Sequence, residues 1–516
     1  MTHSSPHSEM ASGAKSTIQG ERMVGRGAGK FAYLILRCLN GQIIENGHPK
    51  CEFGRRPELT ASWKWDGTHL EVRSDEFGFR PLFYWGNANS IIVSESVNPI
   101  LQTIEDPTLD LVALSVFLRI GCFLGEDTPF LGIRQLEPNS ILTWSSVDGL
   151  RIRTGPRPSA NVLRGTTRTC AVRTYTELFQ KSIEQTIAGR DIGRLVVPLS
   201  GGRDSRHIAF ALDSAGTTPS AYVSAVHLPW KNDEDVRIAK LVAEALGGRH
   251  IVVPQPRFFL ANCVNSIRET GFLGHEHAWQ LPVRDWIIGN ADTIIDGIAG
   301  DMMSGGLYQT QQLHQDFKTR NFKAIADQLF AHSTLAGWEG IVAPELNEAL
   351  SPDVAYTRLL QELELHLTHH NPARSFYFWN RTRRQIALAP FCVLRGVRVA
   401  TPYLDLELWS FLDSLPFDIV ADHTFHDETI CRAYPALAHI PYENKHAPRP
   451  FGRTEPLGIG VDFLRLLPSF TRAKGINWLR MIRRGVGSLR DHRLWWNQSG
   501  ALYLLALLDV PNLKLR

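Results

Sequence analysis

The sequence predicts an α/β protein in two parts, a β-rich unit followed by a doubly wound parallel sheet. Three observations carry that reading. At 516 residues the chain exceeds what a single hydrophobic core organises. From Phe31 to about Arg153, short apolar runs are separated by turn residues. From about Ala171, apolar strands alternate with helix-length segments, the rhythm of a parallel sheet with helices on both faces. Composition agrees: hydrophobic residues are 43% and charged residues 21%, a globular balance. The net charge of +3 gives no argument for nucleic acid, and no apolar run reaches membrane-spanning length. The seven cysteines (Cys38, Cys51, Cys122, Cys170, Cys263, Cys392, Cys431) are scattered without a C-x-x-C pair. That pattern suits reduced thiols in a cytoplasmic protein.

Taken in order, residues 1–30 are rich in Ser, Gly and Ala, lack the apolar centre of a signal peptide, and read as a flexible tail. Residues 31–160 hold strand candidates at Phe31–Leu36, Thr60–Trp65, His69–Arg73 and Ile91–Ser94, with Asp66-Gly67 as a turn signal. Gly155–Arg164, with two prolines, reads as a linker. Within 171–450 the pattern gives a helix at Tyr175–Ile187, a strand at Leu195–Leu199 and a helix from Asp204. A strand at Ser220–Val226, a helix at Glu234–Leu246 and strands at His250–Val253 and Thr293–Ile295 follow, then mostly helix after Gln312. Residues 451–516 read as a basic helical extension in which Arg472, Lys474, Arg480, Arg483, Arg484, Arg490 and Arg493 interleave with Trp478, Trp495 and Trp496. Such a stretch either grips an anionic or peptide partner or, more often, is an amphipathic helix with a solvated basic face.

The most specific segment is Leu199-Ser200-Gly201-Gly202-Arg203-Asp204-Ser205. A strand that ends in Ser-Gly-Gly before a helix leaves backbone N–H groups at a helix N-terminus, where an anion is favoured. A carboxylate at Asp204 would repel a phosphate unless a Mg²⁺ joined the two. The loop therefore reads as a holder of a nucleotide pyrophosphate with a metal ligand built in. It is neither G-x-x-x-x-G-K-[ST] nor G-x-G-x-x-G. A second glycine-rich turn, Asp296-Gly297-Ile298-Ala299-Gly300-Asp301, follows the strand at Thr293 and offers Asp301 as a second metal ligand. Alone it would be a turn with capping acids; paired with Asp204 on a parallel sheet, the metal reading gains. Lys445, in a loop with prolines at 441, 448 and 450, is by default a solvated charge. If that loop is ordered, a fixed ammonium could neutralise charge on a tetrahedral intermediate or on leaving pyrophosphate.

These pieces together resemble the asparagine synthetase family. S-G-G-x-D-S after an apolar strand is similar to the loop of ATP pyrophosphatases (PP-loop enzymes). Asp75-Glu76-Phe77-Gly78-Phe79-Arg80-Pro81-Leu82-Phe83-Tyr84 and Leu131-Gly132-Ile133-Arg134-Gln135-Leu136-Glu137-Pro138 are similar to segments of the family's glutaminase domain. Arg381–Arg384, Thr401–Asp405 and Phe411–Pro416 are similar to the helical block over its synthetase site. The resemblance covers roughly Phe31 to Pro450. It implies a degenerate Ntn-hydrolase-like sandwich at 31–160 and an ATP-binding synthetase domain at 171–450. It implies ATP held by Leu199, Ser200, Gly201, Gly202, Asp204, Ser205, Ser224 and Gly297, with the segment from Tyr222 to Ala225 along the adenine. Mg²⁺ would be held by Asp204 and Asp301, with Lys445 as the catalytic cation. The implied reaction adenylates a small-molecule or peptide carboxylate, releases pyrophosphate, and passes the acyl group to an amine. It calls for no nucleic-acid or membrane partner and leaves a homodimer open.

Departures narrow the resemblance. Thr2 follows Met1 where glutamine-using relatives carry a nucleophilic cysteine, so glutaminase activity is expected to be lost. β-Lactam synthetases and the macrolactam-forming cyclases of lasso peptides share that pattern. Ile298 and Met302 stand where relatives carry Glu, and Arg398 reverses the charge of a glutamate that assists deprotonation in β-lactam synthetases. His275, Glu276 and His277 are conceivable replacement bases, though a helix-start cluster is the simpler reading. The alternatives are a glutamine-hydrolysing asparagine synthetase and a non-catalytic nucleotide-binding relative.

Overall fold

The computed structural model of the chain describes residues 31–54, 58–188, 192–226, 233–333, 335, 337–443, 455–489 and 499–515. The expected tail over 1–30, with Thr2, lies outside them. Ten strands make the first unit: β1 (Tyr33–Leu39), β2 (Gln42–Gly47), β3 (Lys50–Phe53), β4 (Ala61–Trp65), β5 (Leu70–Arg73), β6 (Phe83–Gly86), β7 (Ser90–Ser94), β8 (Arg134–Gln135), β9 (Ser140–Ser145) and β10 (Gly149–Thr154). They form two antiparallel sheets, ordered β2-β1-β7-β6-β8 and β10-β9-β5-β4-β3. Alternation along each strand builds the core between them. Trp63, Trp65, Leu70 and Val72 are buried while Lys64 and Glu71 are exposed. These buried side chains share one cluster with Leu34, Leu36, Ile91 and Val93 of the other sheet. The expected turn is present: Asp66 Oδ1 accepts the N–H groups of Thr68 and His69, and Gly67 takes φ +100°.

The opposite face of the first sheet, through Phe83 and Ile92, packs on helices α1 (Val97–Thr103) and α2 (Leu111–Ile120). Gly155–Arg164 carries neither helix nor strand.

The second unit runs α3 (Arg168–Ile187), β11 (Leu195–Pro198), α4 (Asp204–Ser214), β12 (Ala221–Ala225), α5 (Glu234–Ala245), β13 (His250–Val253), α6 (Phe259–Glu269), α7 (Gln280–Ile287), β14 (Thr293–Ile295) and α8 (Gly300–Ser304), and later β15 (Arg398–Ala400). The five strands are parallel, in the order β13-β12-β11-β14-β15. Both faces are covered, which is why the strands read as continuous apolar runs. Leu195 and Val197 pack with Phe179 of α3 and Ile208 of α4, while Val196, Ile294 and Val399 pack with Val283 and Ile287 of α7. Strand order reverses between β11 and β14, so the crevice that such sheets offer to ligands falls beyond the ends of these two strands.

The segment set apart above as a basic extension is partly core. Helix Ser499–Leu508 is buried along Gly500–Leu508; Tyr503 donates its hydroxyl to Phe272 O at 2.7 Å, and its ring lies 4.5 Å from that of Phe117. Arg480 and Arg484 donate to the carbonyls of Gly340 and Gly337, so these two cations fasten backbone. Arg490, Arg493, Trp495 and Trp496 lie outside the described residues. Among the described residues no helix is long and apolar enough to cross a membrane.

Candidate functional site

A cleft of about 370 Å³ opens beyond the carboxyl ends of β11, β12 and β14, within the range of small-molecule sites. Leu199, Ser200, Asp204, Ser205, Gly297 and Asp301 line it. The two turns that carry the acids interlock because glycine leaves room. A Cβ on Gly300 would stand 2.5 Å from Asp204 Cγ, and one on Gly297 would stand 2.7 Å from Asp204 Cβ. Between them Ala299 adopts φ 75°, a left-handed conformation that costs a non-glycine residue about 1–2 kcal/mol. The interlock lets Asp301 donate its N–H to Asp204 Oδ2 at 3.0 Å.

A third group joins the acids. His426, on the helix Phe425–Ala433, is wholly buried, and its Nδ1 lies 3.5 Å from Asp204 Oδ1 and 3.7 Å from Asp301 Oδ1. The three residues offer ligand atoms all within 4.8 Å of one another, a spacing a single divalent cation can bridge. Two carboxylate oxygens held by separate elements fit the metal that the sequence implies. The ion pair of Arg203, just before α4, with Asp427 fixes the His426 helix against the loop. His426 Nε2 faces Tyr175 Oη at 3.3 Å, Tyr403 Oη at 3.4 Å and His207 Nδ1 at 3.2 Å. Burial holds His207 neutral, far below its ordinary pKa, and pushes both tyrosines well above theirs. No motif marks His426 in the sequence, since its partners lie in distant segments.

The loop itself corrects an expectation. Its N–H groups were expected to await an anion, yet three are engaged by side chains. Ser205 Oγ accepts Ser200 N–H at 3.0 Å, Asp235 Oδ1 accepts Gly201 N–H at 2.8 Å, and Ser200 Oγ accepts Gly202 N–H at 3.2 Å. Ser200 and Ser205 reach these donors from within the loop and the start of α4, and Asp235 reaches across from the start of α5. Gly201 is buried, and a Cβ there would stand 3.0 Å from Ile238 and Glu443 side-chain atoms. Ser224 also departs from expectation: Val223 and Ala225 line the cleft, and the alternating β12 turns Ser224 away. Its hydroxyl donates to Leu199 O at 2.7 Å and bonds His250 Nε2 at 2.8 Å, bracing the loop from behind.

Arg398 is likewise displaced from the chemistry. It pairs with Thr293 at the amino end of β14, whereas the cleft lies beyond the carboxyl end, and its guanidinium meets buried Glu58 of the first unit. Its charge reversal therefore does not bear on the cleft. Glu276 and His277 brace the irregular helix Phe378–Ile386, and His275 packs edge-on to Phe117. Glu276 accepts from Arg381 at 3.0 Å and Gln385 at 2.8 Å, and His277 Nε2 bonds Gln385 O at 2.9 Å with burial pushing its pKa down to about 4. That helix presents Arg381, Thr382 and Ile386 to the cleft. Lys445 lies outside the described residues; the chain reaches Glu443, whose N–H donates to Gly201 O at 3.1 Å.

Asp296, not singled out in the sequence, also lines the cleft. Its Oδ1 accepts Ile298 N–H at 2.8 Å, and burial pushes its carboxyl up from 3.8 to about 6. Among the described residues no cation pairs with it.

No family model and no curated protein matches this chain. Among solved structures, it is similar to one titled as the allosteric regulatory enzyme of purine biosynthesis. The identity is 12% and the TM-score 0.14, over 39% of this chain and 48% of that one. The chain thus spans about half the length of that structure. So slight a likeness carries no argument.

Proposed function

We propose that the protein is an ATP-dependent, AMP- and pyrophosphate-forming amide ligase of the asparagine synthetase pattern. Its first unit would then be a glutaminase-like, Ntn-type sandwich without a nucleophilic cysteine, and its second an ATP pyrophosphatase domain. One observation carries the reading: Asp204 and Asp301 leave adjacent parallel strands at the strand-order switch and meet in a cleft. In the reaction a carboxylate oxygen of the substrate bonds the α-phosphorus of ATP, and the bond to pyrophosphate breaks. An amine nitrogen then bonds the acyl carbon, AMP leaves, and the amine gives up a proton. Asp204 and Asp301 would hold a divalent ion, whose contribution is to neutralise phosphate charge. Val223, Ala225 and Ile298 supply apolar wall for a base, and Arg381 a cation facing the same space. Pyrophosphate release from ATP in the presence of candidate carboxylates tests this directly. Asp204→Ala is expected to abolish release, and a fully active variant would refute the role.

A non-catalytic nucleotide-binding relative is the second reading. It is favoured by the three loop N–H groups already engaged by Ser200, Ser205 and Asp235. ATP binding without pyrophosphate release under any carboxylate supply would select it.

A further inference from the structure

The geometry points to His426 as a third donor at the Asp204–Asp301 site. We infer that the ion bound there is a nitrogen-accepting divalent first-row transition cation, taken in preference to Mg²⁺. The inference deepens the proposed function and rests on it for the presence of a metal.

Paired acids alone would not carry it; the imidazole does. His426 is fully buried, and no hydrogen bond satisfies its Nδ1 among the described residues. That nitrogen stands 3.5 Å and 3.7 Å from one oxygen of each acid. Donors bound about 2.0–2.2 Å from one ion stand roughly 3–3.6 Å apart, so the spacing is near that of a shared coordination sphere. The other ring nitrogen faces three polar atoms, Tyr175 Oη, Tyr403 Oη and His207 Nδ1. Metal-bound histidines commonly have their second nitrogen held in this way, which fixes the ring and leaves the lone pair toward the ion. Tyr403 Oη also donates to Asp204 O at 3.3 Å, and Tyr175 Oη donates to Ser304 Oγ, on the helix that carries Asp301, at 3.0 Å. The histidine support is thus tied to both acids' elements.

The donor set then decides the metal. Mg²⁺ prefers oxygen ligands in near-ideal octahedra, whereas imidazole suits first-row transition ions. One nitrogen and two carboxylates suit a divalent first-row ion such as Fe²⁺ or Zn²⁺, for which paramagnetic Mn²⁺ serves as the probe. The competing arrangement is an imidazolium that sits between the acids as a counter-charge with no ion.

The test uses the full-length protein and Mn²⁺ alone, followed by electron spin-echo modulation. Bound Mn²⁺ is expected to show ¹⁴N coupling that becomes ¹⁵N coupling when histidine is ¹⁵N-labelled. This requires no substitution and so no question of folding. His426→Gln, with an unchanged circular dichroism spectrum, is expected to lose the coupling and at least about tenfold in Mn²⁺ affinity, with Mg²⁺ affinity little altered. Mn²⁺ bound without nitrogen coupling overturns the role of His426 while leaving the carboxylate site intact. Failure to bind Mn²⁺ with or without ATP overturns the metal altogether. Phosphorus coupling in the Mn²⁺–ATP complex reports on the proposed function separately, since it needs nucleotide at the ion and not His426.

Discussion

Asp296→Asn tests whether the cleft wall is as dry as it is drawn. Asp296 is half-buried in the cleft wall; its carboxyl ordinarily titrates at 3.8 and is pushed up to about 6 by desolvation, with one opposing N–H bond from Ile298. At 1.36 kcal/mol per pH unit, that difference is worth about 3 kcal/mol. The sign follows from linkage. A carboxyl raised in the folded state holds its proton there, so its contribution is whole below 3.8 and is lost as pH rises through about 6. Asparagine cannot ionise and keeps an oxygen for Ile298 N–H. The variant is therefore expected to gain about 3 kcal/mol over the wild type at pH 8 but only about 1 kcal/mol at pH 4.5. Calorimetric melting in a chelator should show the variant several degrees higher at pH 8, with the gap narrowing at pH 4.5. Infrared difference spectra at pH 5 should show a protonated carboxyl stretch that Asp296→Asn removes. A gap independent of pH, or an absent stretch, would mean that water reaches the carboxylate, and the reasoning from burial fails.

Two further substitutions probe the interlock and the joint between units. Gly300→Ala places a Cβ 2.5 Å from Asp204 Cγ and Oδ1, so the turn or the acid must shift, at about 1–3 kcal/mol. Mn²⁺ affinity measured by calorimetry is expected to fall at least about tenfold, with a melting decrease of a few degrees; unchanged affinity would refute the close packing. Arg384→Met removes donors from Gly125 O and Asp127 O and leaves both carbonyls unsatisfied, at about 1–3 kcal/mol each. Part is regained because burial already penalises the charge, holding its pKa down to about 9. A net loss of about 2 kcal/mol is expected, with faster amide exchange confined to residues near 125 and 384. Uniform exchange across the chain would contradict a local joint.

The second unit was the more legible in sequence, for a physical reason. A parallel strand buried on both faces is a continuous apolar run, so Leu195–Pro198, Ala221–Ala225, His250–Val253 and Thr293–Ile295 fall inside the expected segments. β15 is only three residues long and sits in a helical stretch, where no period can develop. In the first unit β1, β4, β5 and β7 were found through their alternation or aromatic content. β2, with its run of exposed Glu and Asn, gave no such signal and depends on pairing with β1. At the site, Asp204 and Asp301 were legible because each sits in a glycine turn after a strand. His426 was not, because its significance arises only when a helix from more than a hundred residues later packs across the turns. The facing of Ser224 and the strand end occupied by Arg398 are set by register, which the motif does not encode.

The first unit also holds a helix of the second unit's cleft in place. The turn Asp75–Arg80 resembles a glutaminase hairpin, yet its atoms are spent on the second unit. Asp75 accepts the N–H groups of Phe77, Phe79 and Arg80, which ties the turn into one shape. Gly78, at φ +62°, then presents its carbonyl to Arg383, and a Cβ there would crowd the Arg383 guanidinium at 3.0 Å. Phe77 and Phe79 meet Phe378, with Trp379 and Trp409 also packed on Phe77. Arg383 and Arg384 are fully buried and reach Gly125, Asp127 and Leu136 of the first unit. One helix, Phe378–Ile386, thus carries cleft residues Arg381 and Thr382 beside arginines anchored in the other unit. These buried guanidinium–carbonyl bonds and the aromatic contacts join the helix to the first unit. The sandwich thereby anchors a helix that lines the cleft.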